Sequence, residues 1–203
     1  MSLQVSAKDV KNLRDKTGAG MMDCKKALQV SKGNIDIAIE ELRKKGVVIA
    51  NKKAQRSTMQ GLVESYIHVG SKIGVLLELN CETDFVARRS EFRSLAKNIA
   101  MQIAANVNVH YIDKANIPRE FLNSEEILEL KREDIQYKPI TVRKQIAQAR
   151  VQKKLSELCL LSQPFIKNPD ITIKELLEEH IASFGENIKI NRFSRFVLGD
   201  LVE

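Results

Sequence analysis

Two groups of residues in this 203-residue chain have types and spacings that could carry chemistry. Glu82 and Asp84 stand two positions apart, and a pair of carboxylates can exchange protons with a substrate. In the segment TGAGMMDCK, Gly18 and Gly20 precede Lys25, and glycines followed by a lysine can hold a phosphate group. Whether either group does so depends on the elements that position it.

The glycine segment does not fit a phosphate loop. A Walker loop has the form Gly-x-x-x-x-Gly-Lys-Ser/Thr and follows a strand. A dinucleotide-binding loop needs a third glycine, where this chain has Asp23. Here an amphipathic helix is predicted before the glycines, so a turn between two helices is the simpler interpretation.

The carboxylates also have a simpler interpretation, because acids at the start of a helix favour its dipole. The chain contains no Gly-x-Ser-x-Gly and no His-Glu-x-x-His. Its three cysteines are far apart and odd in number, and its three histidines have no ligand spacing, which indicates reduced thiols without a zinc site. We therefore expect no catalytic chemistry, no metal and no cofactor.

Residues 1–46 are predicted to form a bundle of three short helices. Ser6 can cap the first helix and Asn34 the third, while the second is expected to start at Met21 after the glycine turn. The third helix carries apolar residues at the helical spacing i, i+3, i+4 and i+7, namely Ile35, Ala38, Ile39 and Leu42. Gly46 is expected to end it.

The segment 43–56 holds six basic residues and no acidic ones. It is either a solvated linker or an RNA-binding stretch, and the absence of interleaved aromatic residues favours the linker. The chain is thus divided into an N-terminal domain at 1–54 and a second domain at 55–203.

The second domain is predicted to be of the α+β class, with a small antiparallel sheet packed against helices. Residues 63–69 alternate as a strand, VGSK at 69–72 makes a turn, and 73–81 return as the partner strand. Residues 187–199 alternate as a third strand, and a slip of parity near Arg192 indicates a bulge.

Helices are predicted between these strands. A long one follows the hairpin, with a buried stripe of Phe92, Leu95, Ala96, Ile99 and Ile103. Residues 106–123 are expected to form a loop. Ser124 and Thr141 are expected to cap the next two helices, and Thr172 with Glu175 a further one that ends at Gly185.

Two positions leave an open question. Met21 and Met22 cannot both face the core of a small bundle, so one of them is expected to be exposed, as an adaptable contact. Phe85 shares a helical stripe with Phe92 seven residues later, yet the polar pair at 88–89 occupies positions where a buried ring would need apolar neighbours. Spacing alone does not decide whether Phe85 is buried or exposed.

The bulk properties exclude some classes of protein. No apolar run approaches the roughly 20 residues of a membrane helix, so no membrane association is expected. The N-terminal residues show neither a signal-peptide core nor the composition of a transit peptide, which indicates that the protein works in the compartment where it is made. The formal net charge of +7 is a weak indication of an acidic partner.

Four segments resemble bacterial-type translation elongation factor Ts. They are LRDKTGAGMMDCKKAL at 13–28, LELNCETDFVARRSEF at 77–92, LCLLSQPFIK at 158–167 and GENIKINRFSRFVLGD at 185–200. The resemblance runs from about residue 3 to the end. It is to the short form of the factor, which has one core unit, and the segment ELCLLSQPFI is most similar to cyanobacterial and algal-plastid members.

The resemblance implies guanine-nucleotide exchange on elongation factor Tu, bound with GDP or free of nucleotide, and no direct contact with nucleic acid. It implies that Thr83, Asp84, Phe85 and Val86 disturb the Mg²⁺ site of that partner, which makes Phe85 an exposed anchor. It also implies that the N-terminal bundle is similar to a ubiquitin-associated domain. A bacterial cytoplasm or a plastid stroma is the implied location.

Further contacts follow from the same resemblance. Arg14, Met21, Met22 and Lys25 would contact the nucleotide domain of elongation factor Tu. His68 matches a second contact, and it would serve a partner on the other subunit if the chain forms a homodimer.

The chain departs from the usual family pattern at Arg89, Asn191 and Asp200, and none of these lies in the 83–86 motif. Two alternatives of other classes are a basic RNA-binding accessory protein and a structural adaptor that uses the three-helix bundle alone.

Overall fold

The structure is a computed structural model that describes residues 5–200. Its helices are α1 (Ala7–Thr17), α2 (Met21–Val30), α3 (Ile35–Lys53), α4 (Asp84–Ala87), α5 (Ser90–Ala105), α6 (Arg119–Leu130), α7 (Ile140–Leu158) and α8 (Ile173–Phe184). Its strands are β1 (Gln60–Ile67), β2 (Ile73–Cys81), β3 (Pro164–Phe165), β4 (Asn168–Thr172) and β5 (Ile188–Val197). Short 3-10 turns occupy Lys114–Asn116, Glu133–Ile135 and Leu160–Ser162. The predicted α+β class is confirmed.

The first three helices form the predicted bundle. The Ser6 hydroxyl accepts a hydrogen bond from the Asp9 backbone N–H, and the Asn34 side chain accepts two from the first turn of α3, so both predicted caps are confirmed. Gly18 ends α1 in the left-handed conformation, with a φ of 66°. The bundle core consists of Val10, Leu13, Cys24, Ala27, Leu28 and Ala38, with Ile35, Ile39 and Leu42 packed against it.

The predicted end of the third helix at Gly46 is wrong. Helix α3 continues to Lys53, so most of the segment 43–56 is helical instead of a linker. Gly46 is buried, and a Cβ atom there would lie 3.8 Å from the Ala182 side chain and 3.8 Å from the Glu178 carbonyl oxygen. Gly46 therefore lies where α3 packs against α8 at ordinary van der Waals distance, which the sequence pattern did not distinguish from a helix stop.

Strands β1, β2 and β5 form one sheet in that order, so the C-terminal strand pairs beside the hairpin as predicted. Gly70 in the hairpin turn has a φ of 92°, which confirms its predicted role. The exposure of β5 changes parity at Asn191–Arg192, close to the predicted slip. All five residues of the predicted stripe of α5 are buried.

Three predictions between 106 and 172 are wrong. The expected loop at 106–123 contains the start of α6, for which Pro118 is the N-cap, and Ser124 lies inside that helix with its hydroxyl donating to the Phe121 carbonyl oxygen. Pro139 is the N-cap of α7, so Thr141 is also internal. Proline before the first helical residue competes with Ser and Thr as a start signal. The antiparallel pair β3–β4 was not predicted.

The described residues divide into two compact units. The first comprises 5–64, 77–96 and 174–191, and the second 65–76, 97–173 and 192–200. The first unit holds the bundle, α4 and α8. The second has a core at Ile117, Val151, Leu155 and Cys159, with Tyr111, Phe121 and Leu122 packed against it. The predicted boundary at residue 54 concerns independent folding and stays a prediction.

Among the helices of residues 5–200, none combines the length and the apolar character that crossing a membrane would require.

Candidate partner-binding site

The motif at 83–86 forms the start of α4, a helix of four residues. Thr83 is the N-cap, in the extended conformation, and its Oγ1 accepts a hydrogen bond from the Val86 backbone N–H at 3.4 Å. The Ala87 N–H donates to the Thr83 carbonyl oxygen at 3.3 Å. A threonine followed by an aspartate in the first turn is a usual helix start, because both satisfy or favour the free N–H groups there.

The four residues of this helix divide into buried and exposed positions. Val86 and Ala87 are 6% and 8% exposed, whereas Phe85 is 80% exposed. The exposure of Phe85 that the family resemblance implies is therefore confirmed. The side chain of Val86 is buried beneath the helix in the free chain, and its part in the contact that the resemblance implies stays a prediction.

The two arginines after Phe85 have separate partners. Arg88 pairs with Asp84 one turn earlier, with Nη2 and Oδ2 2.9 Å apart. The guanidinium of Arg89 lies over the Phe184 ring, 5.1 Å from its centroid. The helical path breaks at these two residues, so α4 and α5 are separate helices and Phe85 is removed from the stripe of Phe92.

Glu82 has a structural use instead of pairing with Asp84 as an acid–base couple. Its Oε1 accepts a hydrogen bond from the Asn187 backbone N–H at 2.6 Å, and its Oε2 lies 3.5 Å from Arg56. On the other side, both oxygens of Glu186 accept hydrogen bonds from Thr83. Sequence reasoning missed Glu186 and Asn187, since both follow the helix stop Gly185 in a stretch that showed only strand alternation.

Cys81 lies two residues before the motif and is fully buried. Its Sγ donates to the Thr83 carbonyl oxygen at 3.1 Å. Burial, followed by the negative charge of Glu186, raises the pKa of the Cys81 thiol to about 11. The three cysteines are all free, as predicted, and all three are buried.

The N-terminal residues expected to contact a partner are all exposed, namely Arg14, Met21, Met22 and Lys25. The prediction that Met21 and Met22 do not both face the core is confirmed, and both are in fact exposed, Met21 by 43% and Met22 by 64%. Both lie in the first turn of α2, whose inner side is filled from the next turn by Cys24, Ala27 and Leu28. Two adjacent thioethers at one helix end form a small adaptable apolar surface.

His68 lies at the end of the β1–β2 hairpin and is exposed. Its Nδ1 is 3.1 Å from the Tyr66 hydroxyl, and its backbone N–H donates to the Ile73 carbonyl oxygen. The imidazole is thus oriented by Tyr66 at an exposed position.

Four of the six cations in the basic segment 43–56 pair with carboxylates, so less positive charge is free for binding RNA. Five of its six cations have partners: Arg43 with Glu179, Lys44 with Glu40 and Glu41, Lys45 with Asp23, Lys53 with the Gly185 carbonyl oxygen, and Arg56 with Glu82. A phosphate-binding surface would need these cations to be available.

Comparison with known proteins agrees with the motifs. The sequence profile of the family described as Elongation factor TS matches residues 5–200. The chain is 55% identical over 203 residues to "Elongation factor Ts, chloroplastic" of Rhodomonas salina, covering 100% of this chain and 93% of that protein. It is 57% identical over 199 residues to the protein of the same name of Pyropia yezoensis, covering 98% and 90% of the two chains.

A cyanobacterial protein is similar to the same extent. The chain is 54% identical over 200 residues to "Elongation factor Ts" of Rippkaea orientalis, covering 98% of this chain and 80% of that protein. The resemblance to cyanobacterial and plastid members that the sequence motifs suggested is therefore confirmed. This chain belongs to the elongation factor Ts family.

Proposed function

We propose that this chain is a guanine-nucleotide exchange factor that binds elongation factor Tu with GDP, promotes GDP release by disturbing its Mg²⁺ site, and itself catalyses no reaction. The single observation that carries the proposal is the exposure of Phe85 on a fixed short helix. A large aromatic side chain that is 80% exposed on a monomer, above a buried anchor of Val86 and Ala87, has the character of a hot-spot residue.

The chemistry of the partner's ion makes such a contact effective. Mg²⁺ demands near-ideal octahedral geometry at short distances. In a GTPase it bridges protein ligands and the phosphates of the nucleotide. A ring inserted between partner helices needs to displace those ligands only slightly to weaken the ion, and the nucleotide with it. Thr83 and Asp84 would fix the direction of approach.

Exchange then follows from linkage. If the factor binds nucleotide-free elongation factor Tu more tightly than the GDP-bound form, GDP binding must be weakened by the same factor. No covalent step is required of either protein. GTP binding to the released partner would in turn expel the factor.

Arg14, Met21, Met22 and Lys25 would form a second contact, with the nucleotide domain of the partner. Their common exposure at the α1–α2 end of the bundle supports this proposal. His68 would form a third contact, and a homodimer would allow it to reach a partner on the other subunit. The implied place of action is a cytoplasm or a plastid stroma, which the cyanobacterial and chloroplastic names of the relatives support.

We also propose that 1–54 is a domain able to fold alone, because the bundle has its own capped helices and its own apolar core. Circular dichroism of the isolated segment 1–54 is the test. A segment that is unfolded at low temperature contradicts it.

The exchange activity is tested by the release of fluorescently labelled GDP from elongation factor Tu in the presence of excess unlabelled GDP. We expect the chain to accelerate release and Phe85→Ala to remove most of the acceleration. Tyr137→Ala is a matched control, since Tyr137 is 79% exposed and lies outside the proposed contacts. Release at the spontaneous rate with excess wild-type chain would contradict the proposal.

A further inference from the structure

We propose that Glu186 is a positioning residue for Phe85, and that its carboxylate holds the start of α4 in the orientation that presents the ring. This inference rests on the proposed function in so far as Phe85 is the partner contact. Its structural part concerns the free chain alone and can be tested without a partner.

Both carboxylate oxygens of Glu186 accept hydrogen bonds from the same residue, Thr83. Its Oε2 accepts the Thr83 backbone N–H at 3.0 Å, and its Oε1 accepts the Thr83 hydroxyl at 2.6 Å. Hydrogen bonds to an ionised acceptor are shorter and stronger than those between neutral groups. Thr83 is thereby fixed at its backbone and at its side chain together.

The hydrogen bonds of Thr83 continue into helix α4. Because the Thr83 hydroxyl gives its hydrogen to Glu186, the lone pairs of Oγ1 are left to accept the Val86 N–H, at 3.4 Å. Oriented in this way, the hydroxyl acts as the N-cap of α4, and chains of hydrogen bonds polarise one another. The carboxylate, the hydroxyl and the helix start therefore form one continuous connection to the residues on both sides of Phe85.

A second contact runs in the opposite direction, because the Glu82 carboxylate accepts a hydrogen bond from the segment that carries Glu186. Its Oε1 accepts the Asn187 backbone N–H at 2.6 Å, so each of two adjacent segments offers a carboxylate to the backbone of the other. We call the pair Glu82 and Glu186, with the backbones they hold, the carboxylate clamp. Asn187 is buried, and its side-chain amide donates to the carbonyl oxygens of Ala54 and Arg56 at 3.3 and 2.9 Å.

Phe85 needs such support because little else holds its direction. A helix of four residues is far too short to be stable by itself. The ring itself is mostly in water, so packing of its own side chain does not fix it. Val86 and Ala87 anchor the helix from below, and the Cys81 thiol donates to the Thr83 carbonyl oxygen. The carboxylate clamp holds the Thr83 N–H and hydroxyl, which neither of these contacts reaches. Loss of the clamp should loosen α4 without removing its apolar anchor.

The first test measures the orientation of residue 85 in the free chain. The sequence contains no tryptophan, so Phe85→Trp introduces a single tryptophan, a fluorophore that can be excited separately from the three tyrosines. We expect Glu186→Ala, added to Phe85→Trp, to speed the depolarisation of its fluorescence by about twofold or more, because the indole would move with a loosened helix. Glu186→Gln keeps one acceptor and should have an intermediate effect. An unchanged depolarisation in both variants would overturn the proposal.

Glu179→Gln is the matched control. Glu179 is a partly buried carboxylate of α8 that pairs with Arg43 at 3.4 Å and does not contact the motif. Its loss should leave the depolarisation unchanged. If it loosens the fluorophore as much as Glu186→Ala does, Glu186 stabilises the unit in general and has no positioning role. Denaturant unfolding identifies a variant that fails to fold, and Glu186→Gln is the milder substitute for Glu186→Ala.

The second test uses exchange with native Phe85. We expect Glu186→Ala to lower the maximal rate of GDP release about tenfold and Glu186→Gln about threefold, because a strong charge-assisted contact is lost wholly or in part. The concentration for half-maximal rate should change by less than about twofold, because the contacts of the N-terminal bundle remain. A rise in that concentration at an unchanged maximal rate would overturn the positioning role.

The two proposals fail in different ways. If the wild-type chain releases no GDP but Glu186→Ala still loosens the fluorophore, the proposed function is wrong and the positioning of residue 85 stands. If the wild-type chain is active and the fluorophore is insensitive to Glu186, the positioning role is wrong and the function stands.

Discussion

Two phenylalanines seven residues apart have opposite surroundings. Phe85 in α4 is 80% exposed, whereas Phe92 in α5 is fully buried. The Phe92 ring meets the edge of the Phe184 ring, with centroids 6.2 Å apart, and the Arg89 guanidinium covers the same Phe184. Phe85 has no ring partner among the described residues. Two phenylalanines at a helical spacing thus have different places, since Phe92 belongs to the core and Phe85 to the surface.

The difference between them is made by the break between the two helices. A continuous helix from 84 to 105 would place Phe85 and Phe92 on one face, since seven residues are close to two turns. The break at 88–89 rotates Phe85 outward, while Val86 and Ala87 take the inner positions. A short interruption, stabilised by Asp84 with Arg88 and by Arg89 on Phe184, therefore separates an anchor from a core residue.

The largest expected effect concerns the buried ring. Phe92→Ala should lower the free energy of unfolding by about 3–5 kcal/mol, the usual cost of deleting a buried phenylalanine. Urea denaturation of the variant and the wild type gives the difference. A loss below about 1 kcal/mol would mean that the site collapses around the cavity, and the contrast between the two rings would disappear.

Phe85→Ala should give the opposite pair of results. Water already reaches the ring, so we expect the free energy of unfolding to fall by less than about 1 kcal/mol. The exchange reaction should lose transition-state stabilisation of about 2 kcal/mol or more, as for a hot-spot residue. GDP release and urea denaturation are measured on the same preparation. A large fall in stability with an unchanged exchange rate would remove the proposed mechanism.

The sequence predicted the parts of this contrast that depend on local signals. Caps at Ser6 and Asn34, the hairpin turn at Gly70 and the stripe of Phe92 were all read from residue types and spacing. Phe85 was undecided from spacing, because the polar pair at 88–89 favoured exposure only slightly, and the family motif then favoured an exposed anchor. The break at 88–89 depends on contacts with Phe184, 95 residues later, which no local pattern contains.

The candidate site follows the same division. The motif residues were found from the sequence, but Glu186 contacts Thr83, and Asn187 the adjacent Glu82, from more than 100 residues away. Gly46 shows the converse error, because a glycine that locally predicts a helix end lies inside α3. Glycine is a helix stop in isolation, but here the close packing of α3 on α8 keeps the helix intact through it.

Gly46 allows a test of the packing of α3 on α8, the helix that ends at Phe184. A Cβ atom at this position would make only ordinary contacts at 3.8 Å, so Gly46→Ala should raise the free energy of unfolding by about 0.5–1 kcal/mol through helix propensity. Gly46→Leu should lower it by about 1–3 kcal/mol, because the larger side chain would push α3 from α8. Urea denaturation distinguishes them. If both variants are equally stable, α3 does not pack on α8 in solution.

The smallest expected effect is a pH dependence of the free energy of unfolding that arises from His180, which packs near Phe184. Its ring lies 5.8 Å from that of Phe184, and its Nδ1–H donates to the Leu176 carbonyl oxygen at 2.8 Å. Burial lowers the pKa of His180 in the folded chain below its ordinary value, and the hydrogen bond opposes this in part. The unfolded chain therefore binds the proton more readily than the folded chain does.

The sign follows from that difference. The neutral His180 contributes its full stability above a pH of about 6.5, the ordinary pKa of histidine, and the contribution is lost as the pH falls toward the lower pKa of the folded chain. Burial raises the pKa of the neighbouring Glu178 and Glu179, whose contribution to the free energy of unfolding is lost as the pH rises, so they act in the opposite direction.

The free energy of unfolding should therefore be compared between the wild type and His180→Gln, in which the glutamates are unchanged. We expect the wild type to lose stability relative to this variant between pH 7 and pH 5. A difference that stays constant over this range would mean that His180 is as accessible to protons in the folded chain as in the unfolded one, and that the core around Phe92 and Phe184 is more open than its contacts indicate.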